Sequence, residues 1–243
     1  MASVDRDSLP QGPRPATPDQ PDDRPKLAGL VLCGGASRRM GVDKALLEID
    51  GEAMVDRVAR RLQAAGASPV ILAPGTPGRL GPRAEEQVGD DPAYGPSAGP
   101  LAGIVAGLTA AHAHDADLLL VAAVDLPHAS PDVFKWLVDQ WQGEPALVPL
   151  DATGRPQPLH AVYATGFGGR IRSPEAPEWS ILATTSDRRT VSARQVIDRR
   201  LRQGERRVMP ALDEIGAIYV EVPPELSKSN WAENWNIPHP GWG

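Results

Sequence analysis

Short runs of apolar residues alternate along this chain with longer stretches in which apolar residues recur every three or four positions. The runs Leu27–Cys33, Val70–Ala73 and Leu118–Val124 are typical of buried strands. Between them, the pattern predicts one helix that ends at Gly66 and a second from about Leu101 to Ala111. The apolar face of the first helix consists of Met54, Val55, Val58 and Leu62.

The second half of the chain continues this alternation. Ser130, Pro131 and Asp132 are a typical helix start, because they supply an N-cap, a first-turn proline and an acidic first turn. A polar helical stretch is predicted from about Arg194 to Leu212. Further strands are predicted at Ala146–Leu150, Leu159–Ala164 and Ala217–Val222. The whole pattern predicts an α/β fold in which helices cover a mostly parallel, mixed sheet.

Three segments lack such a pattern. Residues 1–25 contain six prolines and few large apolar side chains, so we expect a disordered tail. Residues 167–193 show no clean period and are interpreted as an irregular surface insertion, and the chain from Asn230 onward as a packed extended segment. We therefore expect one domain over residues 26–243, which is within the usual size of a large α/β domain.

Composition narrows the class of protein. A formal charge of -6 and an isoelectric point near 5.4 argue against a general nucleic-acid surface. The single cysteine, Cys33, cannot form an intramolecular disulfide, and the N-terminus lacks the apolar core of a signal peptide. The longest apolar run is far shorter than the ~20 residues that span a bilayer. These features predict a cytoplasmic protein without a membrane span.

The strongest chemical signal is the glycine-rich loop that follows the first strand. Gly34 and Gly35 allow backbone amides to approach an anion closely. Three cations follow within ten residues, namely Arg38, Arg39 and Lys44. This combination predicts binding of a triphosphate, and the alternative is a structural turn with solvated arginines.

The loop matches neither of the common nucleotide-binding motifs. A Walker A loop requires Lys followed by Ser or Thr directly after its last glycine, whereas Gly41 is followed by Val42 and Asp43. The spaced glycines of the dinucleotide fingerprint are also missing from this segment. A different class of nucleotide-binding protein is therefore indicated.

Asp125 is the best candidate for a metal ligand. It follows the predicted strand Leu118–Val124, at the edge where open α/β sheets bind ligands. Mg²⁺ is usually held by one or two carboxylates together with substrate phosphates, so a second acid is expected nearby. Asp91 is the favoured partner, although Asp90 is adjacent. The structural alternative for Asp125 is a helix cap or turn.

Several motifs, taken in order along the chain, resemble those of the molybdenum cofactor guanylyltransferases. The first loop is similar to the family signature, which joins Leu-Ala-Gly-Gly to Arg-Met-Gly and Asp-Lys. Further matching segments are Gly99–Gly103, Val121–Pro127, Gln157–Ala161, Gly204–Met209 and Asn234–Pro238. The resemblance runs from about Leu27 to Pro238, with the insertion at residues 167–193 left out. It implies a three-layer, Rossmann-like fold of the nucleotide-diphosphosugar transferase type, with GTP, Mg²⁺ and molybdopterin as reactants.

The resemblance also implies roles for individual residues. Lys44, Arg39 and Asp125 would be catalytic, and Asp125 and Asp91 would bind the metal. The nucleotide would be bound by Leu32, Cys33, Gly34, Gly35, Lys44, Asp91, Gly99, Pro100, Leu101, Gly103 and Asp125. The molybdopterin side would be bound by Arg206, Arg207, Asn234 and Asn236. The glycines of Gly99–Gly103 would let a flat base approach the start of a helix.

Some features leave alternatives open. Pro100, Gly103 and Asp43 favour GTP over CTP by resemblance, but a cytidylyltransferase remains the alternative within the class. Arg206 and Arg207 could instead form a solvated helix face. Ile237 stands where the family usually has threonine, and His239 stands in place of an acid, so Asn236 is a weaker assignment.

A protein without turnover, which binds nucleotide during molybdoenzyme maturation, is the alternative from another class. Transient contact with proteins of molybdenum cofactor synthesis or molybdoenzyme maturation would fit either role. Three further residues are given structural interpretations: His112 and His114 face solvent, and His160 is packed in a strand. Cys33 is interpreted as a residue that suits its position because it is small, and not as a nucleophile.

Overall fold

The computed structural model describes residues 24–34, 43–166, 192–227 and 230–233. Nine strands occur in these residues: β1 (Leu27–Leu32), β2 (Glu48–Ile49), β3 (Glu52–Ala53), β4 (Val70–Gly75), β5 (Glu86–Gly89), β6 (Leu118–Ala123), β7 (Ala146–Leu150), β8 (His160–Ala164) and β9 (Ile218–Glu221). The α-helices there are α1 (Met54–Ala64), α2 (Pro100–Ala113), α3 (Pro131–Gln140), α4 (Ala193–Arg202) and α5 (Val208–Ile215). Single 3-10 turns cover Lys44–Leu46 and Pro92–Tyr94.

Seven strands form one sheet in the order β5-β4-β1-β6-β8-β7-β9. Every paired strand is parallel to its neighbours except β8, which runs antiparallel to both β6 and β7. The predicted mostly parallel, mixed sheet is confirmed. Because β1, β4 and β6 are parallel, their carboxyl ends meet at one edge, and the loops that follow them lie side by side there.

The sheet separates two apolar layers. Along β1, Leu30 packs toward α2, α4 and α5, whereas Val31 packs toward α1 and α3. This follows from the alternation of side chains along a strand. Both faces of the central strands are covered, which explains why β1, β4 and β6 are almost continuously apolar. The three-layer arrangement was predicted and is confirmed.

Local signals account for most helix boundaries. Ser130 caps α3 by accepting a hydrogen bond from the Val133 amide, at 3.4 Å, and Pro131 occupies the first helical turn. The helix predicted to end at Gly66 is α1, and Gly66 adopts a φ of 99° that favours glycine. The predicted helical stretch Arg194–Leu212 was wrong in one respect: it is two helices, α4 and α5.

Two strand features were not predicted. β5 is a short edge strand of mixed polarity, paired in parallel with β4, and its sequence has no alternating apolar pattern. β2 and β3 form a two-residue hairpin around the Asp50-Gly51 turn. Such short strands carry too few residues for a periodic signal. No helix among the described residues is long and apolar enough to cross a membrane.

Several predictions concern residues outside the described ranges. The proline-rich tail and the insertion at 167–193 fall almost wholly there. So do the site candidates Gly35, Arg38, Arg39, Asn234 and Asn236, and the departures at Ile237 and His239.

Candidate functional site

A cleft of about 940 Å³ lies at the carboxyl ends of β1, β4 and β6. Its walls are formed by the loops that follow these strands, by the segment from Asp90 to Pro100, and by the first turn of α2. Nine of the predicted nucleotide-site residues line it, namely Leu32, Cys33, Gly34, Lys44, Asp91, Gly99, Pro100, Gly103 and Asp125. Residues separated by more than 90 positions in sequence therefore share one cavity.

Lys44 and Asp125 line this same cleft. Lys44 opens the 3-10 turn that follows the glycine-rich loop, and Asp125 comes two residues after β6. Because β1 and β6 are paired in parallel, the two loops leave the sheet at the same edge. The cleft thus brings together a cation, which can neutralise a bound polyphosphate, and a carboxylate of the kind that holds Mg²⁺.

Asp43 fixes the backbone on which Lys44 sits. Its Oδ1 accepts a hydrogen bond from the Ala45 amide at 3.1 Å and so caps the 3-10 turn. Its Oδ2 pairs with Arg79 Nη1 at 2.7 Å. Arg79 also donates from Nη2 to the Cys33 carbonyl oxygen. One guanidinium therefore joins the residues on either side of the glycine-rich loop.

Arg79 lines the cleft and was missed by the sequence analysis. Among the described residues it is the second cation of the cleft after Lys44, and its side chain is 27% exposed. It lies in a Gly/Pro-rich segment shortly after β4, at the same sheet edge as Lys44 and Asp125. That position was the available signal, because basic residues after parallel strands lie where an anionic ligand binds.

The adjacent acids Asp90 and Asp91 both line the cleft but differ in their partners. Asp91 Oδ1 accepts from the Ala93 amide at 2.9 Å, and its Oδ2 pairs with Arg202 at 3.2 Å. Asp90 is half-buried, and burial raises the pKa of its carboxyl above the ordinary value. Both Asp91 oxygens are thus engaged in holding the chain, whereas Asp90 Oδ2 lies beside Gly75, another residue of the cleft wall.

Glycine serves two different purposes in the Gly99–Gly103 segment. Gly99 has a φ of 82°, and nothing lies within 4 Å of the place where its Cβ would be. Gly99 also lines the cleft, so a ligand there can approach its backbone. A Cβ on Gly103 would instead lie 2.7 Å from Leu32 Cδ2 and 3.3 Å from Ala73 Cβ. Gly103 therefore allows α2 to pack closely against β1 and β4.

Comparison with known proteins agrees with this geometry. Residues 29–198 match the family model of the MobA-like NTP transferase domain. The probable molybdenum cofactor guanylyltransferase of Opitutus terrae is 36% identical over 216 residues, which cover 87% of this chain and 91% of that protein. This chain belongs to the MobA-like NTP transferase family.

Two further comparisons concern sequence and fold. The molybdenum cofactor guanylyltransferase of Cereibacter sphaeroides is 38% identical over 141 residues, or 57% of this chain and 69% of that protein. The crystal structure of molybdopterin-guanine dinucleotide biosynthesis protein A from Archaeoglobus fulgidus superposes with a TM-score of 0.55. The two chains are 22% identical, and the superposition covers 80% of this chain and 83% of the Archaeoglobus fulgidus chain. That likeness shows the shared fold.

Three of the predicted site residues that the structure describes do not line the cleft. Leu101 is fully buried, and its side chain packs in the layer between α2 and the sheet. Arg206 donates to backbone carbonyls of the 94–97 segment. Arg207 is the N-cap residue of α5, with its side chain 78% exposed and 3.9 Å from Glu205. None of the three lines the cleft that holds Lys44 and Asp125.

Two reactive side chains of the MobA-like domain are buried. Burial raises the pKa of the Cys33 thiol to about 12, so the thiol stays protonated and is a poor nucleophile. His160 stacks on Phe134 with ring centroids 4.1 Å apart and also contacts Trp231. Neither ring nitrogen of His160 has a hydrogen-bond partner among the described residues. Both side chains serve packing, as their sequence contexts predicted.

Proposed function

We propose that this protein transfers GMP from GTP to molybdopterin and releases pyrophosphate. The observation that carries the proposal is the shared cleft of Lys44 and Asp125, at the strand ends of a chain 36% identical to a probable molybdenum cofactor guanylyltransferase. The cleft has room for a nucleoside triphosphate, since ligand pockets usually measure ~300–1,000 Å³.

The reaction requires no protein nucleophile. A terminal phosphate oxygen of molybdopterin attacks the α-phosphorus of GTP in line, and a new P–O bond forms. The bond between the α-phosphorus and the bridging oxygen breaks, and pyrophosphate leaves with the bonding electron pair. Catalysis then depends on placing two anions in contact and on stabilising the charge that develops. The protonated thiol of Cys33 is consistent with this direct transfer.

Lys44 contributes through its charge. At about 4 Å and an effective dielectric constant near 20, one cation interacts with one anion by about 4 kcal/mol. If this interaction is made only in the transition state, it corresponds to nearly a thousandfold in rate. Arg79 adds a second cation to the same cleft and holds the residues that flank the glycine-rich loop.

The donor set of the cleft fits Mg²⁺. Among the described residues no group of three or more acidic, His or Cys side chains is placed to hold a metal, so substrate oxygens must complete the coordination. That is the usual arrangement for Mg²⁺, with one or two carboxylates and several phosphate or water oxygens. Asp125 and Asp90 would hold the ion, since both carboxylates face the cleft and Asp91 is engaged elsewhere. When bound, Mg²⁺ neutralises charge on the phosphate oxygens.

The decisive experiment measures pyrophosphate release from GTP and from CTP in the presence of molybdopterin and Mg²⁺. We expect release with GTP at a kcat/KM at least tenfold higher than with CTP. A preference for CTP would show that the protein is a cytidylyltransferase and not a guanylyltransferase. Tight nucleotide binding without release from either triphosphate would indicate a binding protein without turnover.

A further inference from the structure

One guanidinium fastens the loop between the 3-10 turn Pro92–Tyr94 and helix α2. Arg206 Nη1 donates to the carbonyl oxygens of Pro96 and Ser97 at 3.1 and 3.2 Å. Its Nη2 donates to the Tyr94 carbonyl oxygen at 3.0 Å. Arg206 lies more than 100 positions further along the chain, in the connection between α4 and α5. The bonds are charge-assisted and have the fork geometry that only arginine provides.

The loop that Arg206 holds has an unusual backbone. Gly95, Ser97 and Gly99 all have positive φ values, of 73°, 56° and 82°. A positive φ is uncommon for serine. Holding a non-glycine residue in this region has a conformational free-energy cost on the order of 1 kcal/mol or more. A conformation of this kind persists only where surrounding contacts determine it. The three carbonyl bonds to Arg206 are such contacts.

This loop is also a wall of the cleft. Residues 95–100 all line it, whereas Arg206 does not. Arg206 therefore contacts the loop that borders the cleft and not the cleft itself. The Gly99 amide and its open face belong to the same wall, next to the start of α2.

A second set of contacts joins the same loop region to α4. The Tyr94 hydroxyl donates to Asp198 Oδ1, and Arg202 lies over the Tyr94 ring with 5.6 Å from its Cζ to the ring centroid. Arg202 also pairs with Asp91 at 3.2 Å. Arg202 and Arg206 lie beyond residue 198, where the match to the family model ends. The shape of the cleft wall thus depends on a part of the chain outside that match.

We propose that Arg206 is a positioning residue that holds the 94–99 loop in the shape required for the nucleotide, and that it does not bind the phosphate of molybdopterin. The proposal rests on the proposed function for the identity of the nucleotide. Without Arg206, three carbonyl oxygens lose their donor and the loop can relax from its positive φ angles. The nucleotide must then order the loop when it binds, and this weakens its affinity.

The test compares Arg206→Ala and Arg206→Lys with Arg207→Ala, a neighbouring arginine whose side chain is 78% exposed and lies 3.9 Å from Glu205. The dissociation constant for GTP with Mg²⁺ is measured by calorimetry in the absence of molybdopterin. We expect GTP affinity to fall at least tenfold in Arg206→Ala and to stay within twofold in Arg207→Ala. Arg206→Lys keeps the charge but cannot reach three carbonyls, so an intermediate loss is expected.

Hydrogen exchange separates loop relaxation from global unfolding. The amides of residues 95, 97, 98 and 99 should exchange faster in Arg206→Ala, while those of β1 and β6 stay protected as in the parent protein. Steady-state kinetics can give the result that would contradict the proposal. An unchanged GTP dissociation constant together with a raised KM for molybdopterin would overturn the proposal and assign Arg206 to the pterin phosphate.

The binding measurement also separates this proposal from the proposed function. GTP binding requires no transfer step, so a parent protein that binds GTP but releases no pyrophosphate would refute guanylyl transfer alone. A parent protein that binds CTP in place of GTP would be tested with CTP. Equal affinity of all three variants for the preferred triphosphate would refute the role of Arg206.

Discussion

Arg79 Nη1 lies 2.7 Å from Asp43 Oδ2, and this pair joins the segment after β4 to the residue that precedes Lys44. The same guanidinium donates to the Cys33 carbonyl oxygen on the other side of the glycine-rich loop. Each residue alone has an unremarkable sequence context. Together, Arg79, Asp43 and Cys33 set the distance between the end of β1 and the start of the Lys44 turn.

We expect Arg79→Ala to lower kcat/KM about tenfold or more, because it removes a cleft cation and releases Asp43. Arg83→Ala is the matched control, since Arg83 pairs with Asp56 and does not line the cleft. The measurement is steady-state pyrophosphate release with saturating Mg²⁺. Equal losses in both variants would attribute the effect to stability instead of to the cleft.

Lys44→Ala and Asp125→Asn should each lower turnover by about a hundredfold or more, because Lys44→Ala removes a cation that offsets repulsion between the two anions and Asp125→Asn removes the carboxylate that would hold Mg²⁺. The fold should be preserved, since both residues line the cleft and neither belongs to the apolar layers. Thermal unfolding of each variant checks this second expectation. Near-normal kcat in either variant, with a normal melting temperature, would remove that residue from the mechanism.

The adjacent acids should respond differently to substitution by alanine. Asp90→Ala should reduce Mg²⁺-dependent turnover and raise stability at pH 7, because a half-buried carboxylate with a raised pKa is destabilising once it is ionised. Asp91→Ala should lower the free energy of unfolding by about 1 kcal/mol, since it removes an N-cap and the pair with Arg202. Denaturant unfolding and turnover at several Mg²⁺ concentrations test both.

The pH dependence of the Asp90 effect has a definite sign. The folded state binds the proton more tightly than the unfolded state, so the contribution of Asp90 to stability decreases as pH rises above the ordinary carboxyl pKa of 3.8. Above the raised pKa the Asp90 carboxyl is ionised, and its full destabilising effect is then present. Asp90→Ala should therefore gain stability relative to the parent protein at pH 7 and lose that advantage toward pH 3. A stability gain in Asp90→Ala that does not change with pH would contradict the raised pKa of Asp90.

Two glycines of α2 provide a matched pair of substitutions. A Cβ on Gly107 would lie 2.5 Å from Leu30 Cδ2, inside the buried layer, whereas a Cβ on Gly103 would meet Leu32 Cδ2 at the cleft. Gly107→Ala should lower the free energy of unfolding by ~1–3 kcal/mol. Gly103→Ala can displace Leu32 into the cleft, so it should weaken GTP binding more than it lowers stability. Calorimetric binding and denaturant unfolding of both variants test this contrast.

His160 should make the fold sensitive to acid. Burial lowers its pKa from 6.5 to about 3, so below pH 6.5 the unfolded chain takes up a proton that the folded protein excludes. Stability is lost as pH falls through this window, by up to about 1.4 kcal/mol per pH unit. His160→Leu should make the decline between pH 6 and pH 4 shallower. Parallel declines in the two proteins would show that other groups cause the acid sensitivity.

Short-range patterns were sufficient for the central elements of the fold. The apolar runs of β1, β4 and β6 and the capped start of α3 carry their structure in consecutive residues, because burial on both faces and helix capping are local requirements. The loop between α4 and α5 was not predicted, since a polar helical stretch gives a weak periodic signal. The edge strand β5 was missed for the same reason.

For the site, the sequence by itself determined the type of chemistry: a phosphate loop, a lysine and an acid at a strand end, in the order of a known family. Only the tertiary structure decided which residues meet. It placed Arg79 between Cys33 and Asp43, turned Asp91 toward Arg202 and left Asp90 facing the cleft, and put Arg206 against the loop backbone. These choices depend on contacts between residues far apart in the chain, and no local pattern of polar and apolar positions encodes such contacts.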